Sequence, residues 1–223
     1  MIPKDYVRDY IEGRIAPADF LIAFRTEPQI YEWLQTIVPK GKMYRMCHVQ
    51  VNEYGQNAHV LAVSPYDVRD MINHLLGLCR GRTSCANYYI HMELAALWKE
   101  AFPGDEIAVS NAIRDRFFLE LDLIPRYIGG AEVYEHGIID DMINAIPKQL
   151  SNAEQRAWCQ ARVNEIFHLH DGKHPYWREE PAWPVGKDHK PMRFLFQKCV
   201  DDVYKYYFVD QETNEVRQVT QTG

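Results

Sequence analysis

The sequence of 223 residues lacks any long apolar run. No stretch approaches the roughly 20 consecutive apolar residues that cross a bilayer, so we expect no transmembrane helix. No apolar segment follows the charged start at residues 1 to 5, so we also expect no signal peptide. The five cysteines form an odd set without paired spacing, which is typical of free thiols in a reducing compartment. We therefore expect a cytoplasmic protein with no membrane association.

Positive charge is also scarce, because 25 lysines and arginines stand against 31 acids and the net charge is −6. Binding of nucleic acid needs a clustered basic face, so we expect no nucleic-acid partner. The negative balance instead suits attraction to a basic protein partner. The sequence leaves the oligomeric state open.

The common catalytic and nucleotide-binding motifs are missing. There is no phosphate-binding loop, no G-x-G-x-x-G, no H-E-x-x-H and no G-x-S-x-G. His91-Met92-Glu93 has the H-x-E spacing of zinc deaminases, but no P-C-x-x-C follows it. An active site can still be assembled from residues far apart in the sequence, so an enzyme is disfavoured rather than excluded. We predict no catalytic residue and no cofactor.

Amphipathic helical patterns fill most of the chain. Apolar residues recur three and four positions apart, and prolines and glycines end the segments. Ser64 and Pro65 read as a helix start, and Ser151 with Glu154 reads as a capping box. The short run at 59 to 63 fits either a strand or the first residues of the next helix. The predicted helices cover residues 6 to 11, 18 to 24, 28 to 37, 64 to 77, 84 to 102, 111 to 123, 133 to 146 and 151 to 167.

The pattern changes near residue 170. Four prolines and a glycine lie between residues 175 and 191, which is typical of a loop. Three runs rich in aromatic and branched residues follow, at 192 to 199, 204 to 209 and 215 to 219, and they predict an antiparallel meander. We therefore predict an α+β fold, with a mainly α-helical domain at residues 1–170 and a C-terminal β module at 171–223 packed on it.

The proline-rich loop supplies our candidate partner-binding residues, Tyr176, Trp177, Arg178 and Trp183. Aromatic rings and an arginine held between prolines suit a rigid recognition surface. Alternatively, Trp177 and Trp183 clamp the meander onto the helical body, because a three-stranded sheet needs a cover on its apolar face. We favour the clamp for the two tryptophans.

Two groups of residues resemble metal ligands. Imidazole and carboxylate groups at close spacing can bind zinc, and the first group consists of His168, His170, Asp171 and His174. These residues also follow a predicted helix, and cationic side chains are favoured at helix C-termini in any case. The second and weaker group consists of Cys79, Cys85, Cys47 and His48. Its spacing is wider than that of a zinc knuckle, and buried free cysteine is common, so we predict no metal.

The C-terminal fifty residues carry the pattern W-P…P-M-x-F-L-x-Q…Y-Y-F-x-D, at Trp183-Pro184, Pro191-Met192, Phe194-Leu195, Gln197, Tyr206-Tyr207-Phe208 and Asp210. In this pattern they resemble the ending of an uncharacterised bacterial family and are partly similar to the YwqG-like proteins. Tyr10-Ile11-x-Gly13-x-Ile15 and Trp33-Leu34-Gln35 look like the helical start of the same group. The rest of the helical region departs from YwqG-like proteins. The resemblance implies a binding protein from a toxin–immunity neighbourhood and supplies no catalytic residue.

Our leading hypothesis is a non-enzymatic protein-binding factor, as an immunity or accessory protein of a bacterial toxin system. A second hypothesis is a metal-dependent hydrolase that uses His168, His170 and His174. A third is an oligomeric scaffold, since the last strand of the meander would be an open edge that recruits another strand.

Overall fold

The computed structural model describes residues 2–51, 57–79, 82–169 and 171–222, with the backbone alone at 46–51 and 57–61. The elements are α1 (Pro3–Ile11), α2 (Pro17–Thr26), α3 (Pro28–Thr36), β1 (Met43–Val51), β2 (Asn57–Pro65), α4 (Val68–Leu78), α5 (Thr83–Ala101), α6 (Ala112–Leu123), α7 (Ala131–Glu135), α8 (Ile138–Asn144), α9 (Asn152–Ile166), β3 (Arg193–Val200), β4 (Val203–Val209) and β5 (Val216–Thr222). The predicted α+β fold, with a helical body and a C-terminal antiparallel meander, is confirmed. No described helix is long and apolar enough to cross a membrane.

Contacts divide the chain into two units, each with its own core. The first unit is Met1–Cys79 with Cys85–Asp115, and the second is Arg80–Ser84 with Arg116–Gly223. The expected boundary at residue 170 falls inside the second unit. The physical reason is that residues of α6 to α9 supply much of the apolar surface that covers one face of the C-terminal sheet.

The core of the first unit is built from the apolar stripes of its helices and from aromatic rings. Prolines open α1, α2 and α3, where the missing N–H costs no intrahelical hydrogen bond. Trp98 on α5 is fully buried, with the rings of Trp33 and Phe102 at 5.8 and 5.0 Å. Tyr10 and Phe20 stack at 4.0 Å and join α1 to α2. These contacts hold helices that are too short to be stable alone.

An antiparallel hairpin, β1–β2, interrupts the helices of the first unit. Its register runs from Met43 opposite Pro65 to Val51 opposite Asn57, so the run at 59 to 63 is a strand. The predicted helix start at Ser64 is wrong, because the strand continues through Pro65. Asp67 caps α4 instead, and its carboxylate accepts the N–H groups of residues 69 and 70 at 2.8 and 3.1 Å.

The helices of the second unit follow the sequence pattern with one break. The predicted helix at 133 to 146 is two helices, α7 and α8, separated at Gly137, whose φ of 67° lies in the left-handed region. The predicted capping box of α9 is confirmed. The Ser151 hydroxyl accepts from the Glu154 N–H, and the Glu154 carboxylate accepts the Ser151 N–H at 2.8 Å.

The C-terminal sheet has the strand order β3-β4-β5, and both neighbouring pairs are antiparallel. The three strands agree with the predicted runs to within a few residues. Asp201 and Asp202 form the β3–β4 turn with φ of 51° and 60°, and two positive φ angles match the twist of a tight hairpin. A bulge between Phe194 and Phe196 shifts the register of β3 by one residue. The bulge therefore decides which β3 side chains lie on which face.

Candidate functional site

Trp183, one of the predicted partner-binding residues, lies in the core of the second unit and is 1% exposed. Its indole N–H donates to the carbonyl of Met192 at 2.8 Å, and its ring meets that of Phe167 edge-on at 5.0 Å. Its backbone N–H donates to the carbonyl of Gly129 at 3.0 Å. A Cβ on Gly130 would stand 2.8 Å from the same nitrogen, so glycine is required where the loop crosses α7. Trp183 joins the loop, α9 and the sheet.

Trp177 also packs inward. Its indole N–H donates to the carbonyl of Tyr127 at 2.9 Å. Its ring lies 4.5 Å from that of Tyr206 and 5.9 Å from that of Phe208, both on β4. The ring of Trp183 also lies 5.3 Å from that of Phe208, so both tryptophans join β4 to the helical part of the second unit, which is the arrangement expected of a clamp.

The other two predicted binding residues, Tyr176 and Arg178, are exposed, the tyrosine by 73%. The backbone beneath them is fixed to the sheet. The N–H of Arg178 donates to the hydroxyl of Tyr206 at 2.8 Å and to the side-chain oxygen of Gln221 at 2.9 Å. Gln221, buried at the end of β5, donates in turn to the carbonyl of Glu180 at 2.8 Å. The loop therefore presents Tyr176 and Arg178 from a fixed backbone.

Sequence reasoning missed a second exposed surface, the side of the sheet that faces away from the core. We call it the outer face, and the register places on it Arg193, Phe196, Lys198, Val200, Val203, Lys205, Tyr207, Val209, Val216, Gln218, Thr220 and Thr222. Phe196, Val200 and Val216 are each about half exposed, at 52, 49 and 57%. Phe196 and Tyr207 lie opposite each other and stack at 4.6 Å. The outer face thus carries exposed apolar and aromatic surface.

The charges of the outer face are all positive. Lys198 and Lys205 lie directly opposite each other on β3 and β4, and Arg193 precedes them on β3. The three strands contain no aspartate or glutamate, and none of these three cations forms an ion pair within the described part of the chain. The ammonium of Lys198 lies 5.3 Å from the ring centre of Tyr207. Like charges directly opposite each other destabilise a sheet, so this pair carries an uncompensated repulsion.

The described members of the predicted zinc group, His168, Asp171 and His174, are not brought together as a metal site. His174 stacks flat on the ring of Tyr127 at 3.9 Å, and its Nδ1 lies 3.1 Å from the carbonyl of Pro175. His168, with φ of 55°, lines a separate pocket beside residues 186 to 192. His170 lies outside the described residues. The hydrolase hypothesis therefore stays a prediction.

The second group of candidate ligands contains a close pair of thiols. The sulfurs of Cys79 and Cys85 are 2.7 Å apart, and neither cysteine is in a disulfide. The side chains of Cys47 and His48 lie outside the described part. In residues 2–45, 62–79, 82–169 and 171–222, no three histidine, cysteine or acidic side chains stand together as a metal site.

A pocket of about 410 Å³ in the second unit holds the buried acid Glu120. Ser84 donates to one carboxyl oxygen of Glu120, and the hydroxyl of Tyr134 donates to the other at 3.1 Å. Arg82 and Arg126 line the same pocket. A buried ionisable group beside a cavity is a recognised mark of functional sites, although structural networks share it.

Burial raises the pKa of Glu120 above its usual range, against the opposing effect of the two hydroxyl donors. Sequence reasoning missed this residue although a signal was present. Glu120 falls on the apolar stripe of α6, seven residues after Ile113 and three after Phe117. An acidic residue on the apolar stripe of a helix is expected to be buried. A buried acid needs hydrogen-bond donors, or its pKa is raised so that it stays protonated.

Comparison with protein-family models, with curated proteins and with solved structures finds no match. The resemblance of the C-terminal residues to YwqG-like proteins therefore stays a prediction.

Proposed function

We propose that this chain is a non-enzymatic protein-binding factor that holds an acidic, aromatic-bearing segment of a partner protein on its outer face. The observation that carries the proposal is the Lys198–Lys205 pair beside the exposed Phe196–Tyr207 stack. Together with the toxin–immunity resemblance, it supports an immunity or accessory protein that masks another protein. We place this activity in the cytoplasm, where the sequence predicts the chain.

Energetics favour an acidic occupant for this surface. The repulsion between Lys198 and Lys205 is relieved when a carboxylate lies between them. Phe196 and Tyr207 offer a flat apolar platform, and aromatic residues and arginine are enriched in interface cores. The net negative charge of the chain favours a basic partner. The outer face, however, carries only positive charges and therefore favours an acidic one.

A protein segment fits this face better than a nucleic acid does, although aromatic rings and cations also bind single strands. A nucleic-acid groove extends its positive charge along the path of the strand. Here the acidic turn Asp201–Asp202 lies at one end of β3 and β4, and the chain as a whole carries −6. A phosphate backbone would meet repulsion as it left the sheet.

The test is quantitative affinity capture from a nuclease-treated native extract, with immobilised wild type, the Lys198→Glu variant and the Phe196→Ser variant. Lys148→Glu is the matched control, because it makes the same charge change at an exposed site outside the sheet. We expect a protein that is enriched by wild type and Lys148→Glu and lost with both outer-face variants. Retention should fall as salt is raised, and cross-links should join an acidic segment of that protein to the outer face.

Capture that is unchanged in Lys198→Glu and Phe196→Ser would refute the use of the outer face. Capture that disappears on nuclease treatment would identify a nucleic-acid ligand and overturn the proposal. Circular dichroism of each variant shows that the fold is retained before capture is compared.

A second candidate function, the oligomeric scaffold, is supported by the open edges of the sheet. Among the residues that the structure describes, β3 and β5 each pair on one side only, with β4. An unpaired edge offers its N–H and C=O groups to a second strand. Light scattering at high protein concentration tests it, and a strictly monomeric protein would exclude a scaffold formed by strand pairing.

A further inference from the structure

We infer that Cys79 and Cys85 form a redox-responsive dithiol, which a small-molecule disulfide such as oxidised glutathione converts reversibly into an intramolecular disulfide. This modification site lies in the first unit and is independent of the proposed protein binding.

The geometry of the two thiols carries the inference. Their sulfurs are 2.7 Å apart and in direct contact, and neither cysteine is in a disulfide. A disulfide bond is about 2.05 Å long, so closure needs an approach of roughly 0.7 Å. Cys79 is the C-cap of α4 and Cys85 lies in the first turn of α5, so secondary structure holds each partner in place.

The two cysteines have different surroundings, which assigns them different roles. Cys85 is partly exposed and lies at a helix N-terminus, where a negative charge is stabilised. Cys79 is 5% exposed and lies at a helix C-terminus, where a negative charge is disfavoured. Cys85 is therefore the attacking thiolate and Cys79 the resolving thiol.

Tyr89 lies one turn after Cys85 on α5, and the charges of the same two cysteines act on its phenol. Burial first, and then the negative charge of Cys85 and Cys79, raises the pKa of the Tyr89 phenol. Both sulfurs thus lie within electrostatic reach of one side chain on the exposed side of α5.

The exchange balances without any further reactant. The Cys85 thiolate attacks one sulfur of glutathione disulfide, a mixed disulfide forms, and one glutathione thiolate leaves. The Cys79 sulfur then attacks the Cys85 sulfur, and the second glutathione leaves. The two thiol protons pass to the two leaving thiolates. One disulfide is reduced to two thiols, and two protein thiols are oxidised to one disulfide.

The sequence between the cysteines makes the product easy to identify. Arg80 and Arg82 lie between them, so trypsin places Cys79 on the peptide of residues 70 to 80 and Cys85 on that of 83 to 99. A disulfide is the one bond that would keep these peptides together. The Cys199→Ser variant, which removes an exposed thiol on β3, is the background for the experiment, since Cys199 would otherwise form its own mixed disulfide.

The experiment treats the folded Cys199→Ser protein with oxidised glutathione and then digests it with trypsin without reductant. We expect the intact mass to fall by two hydrogen atoms, the two peptides to appear linked, and dithiothreitol to reverse both changes. Closure should be about tenfold or more faster than in urea-unfolded protein, because the fold holds the sulfurs in contact. Cys79→Ser should instead carry one stable glutathione adduct at Cys85, and Cys85→Ser should block closure.

A linked peptide pair that fails to form would overturn the inference. So would a closure rate equal to that of the unfolded chain, or linkage of Cys79 or Cys85 to another cysteine of the chain. Because the decisive measurement keeps both thiols, it does not depend on whether the single-thiol variants fold.

Discussion

Replacement of Glu120 by glutamine should change the stability of the second unit in a pH-dependent way. Glu120→Gln keeps the shape of the side chain but removes its titration. Because burial raises the pKa of Glu120 in the folded protein, the native state holds this proton at pH values where the unfolded chain has released it. The wild-type protein therefore loses the contribution of Glu120 to stability as pH rises through that window, whereas the variant has no such contribution to lose.

The window and slope follow from linkage. The pH window begins near the usual glutamate pKa of about 4.3 and ends above the raised pKa of Glu120 in the folded protein. Within it, the free energy of unfolding of wild type falls by up to about 1.4 kcal/mol per pH unit relative to the variant. At acidic pH the wild type benefits from a protonated carboxyl hydrogen-bonded to Ser84 and Tyr134. Glu120→Gln should thus be most destabilising in acid and progressively less so towards neutral pH.

The assay is urea unfolding from about pH 4 to about pH 8, followed by a hydrogen-exchange pulse at one fixed pH. Mass spectrometry of peptides from residues 116 to 223 follows the second unit by itself. Glu135→Gln, at an exposed site on α7, is the matched control. A difference between wild type and Glu120→Gln that is flat, or that widens as pH rises, would refute the account of Glu120.

Three further substitutions test the packing of the second unit by urea unfolding. Trp183→Ala should cost about 3–5 kcal/mol because it empties a core position, whereas Tyr176→Ala should cost under about 0.5 kcal/mol; equal costs would contradict the clamp. Ser151→Ala should cost about 1 kcal/mol through loss of the α9 cap, and a neutral result would contradict the capping box. Lys198→Glu should raise the free energy of unfolding by about 0.2–1 kcal/mol, because it replaces the repulsion between Lys198 and Lys205 by an attraction. A lower free energy of unfolding would contradict the register.

The meander and most helices could be predicted because their signals are local. Alternating aromatic and branched residues separated by Asp201–Asp202 predict β3 and β4, and a Ser151 cap predicts α9. The secondary-structure predictions were wrong where a residue far away in the sequence determines the local structure. Ser64 has the side chain of a helix cap, but Pro65 pairs with Met43 across the hairpin. β-structure depends on such partners more than helical structure does.

The same distinction between local signals and distant partners applies to the candidate sites. The sequence favoured an inward clamp for Trp177 and Trp183, but it did not separate them from Tyr176 and Arg178 as candidate binding residues, because each aromatic ring suits a core or a surface. The Lys198–Lys205 pair becomes visible only once the bulge in β3 fixes the register. Glu120 had a sequence signal, an acid on an apolar stripe, but its hydroxyl partners are 14 and 36 residues away.

The carboxylate of Asp210 limits where this protein can be engineered. The polar, exposed segment at 211 to 215 resembles a tolerant site for a grafted peptide or tag. Asp210, however, accepts the N–H groups of Glu212 and Thr213 at 2.9 and 3.1 Å, and also that of Lys187 at 3.2 Å. A Cβ on Gly186 would stand 2.7 Å from the same carboxylate. A graft into the β4–β5 turn would therefore also loosen the loop around Gly186 and Lys187, and the exposed turn around Gly172 is the better place for one.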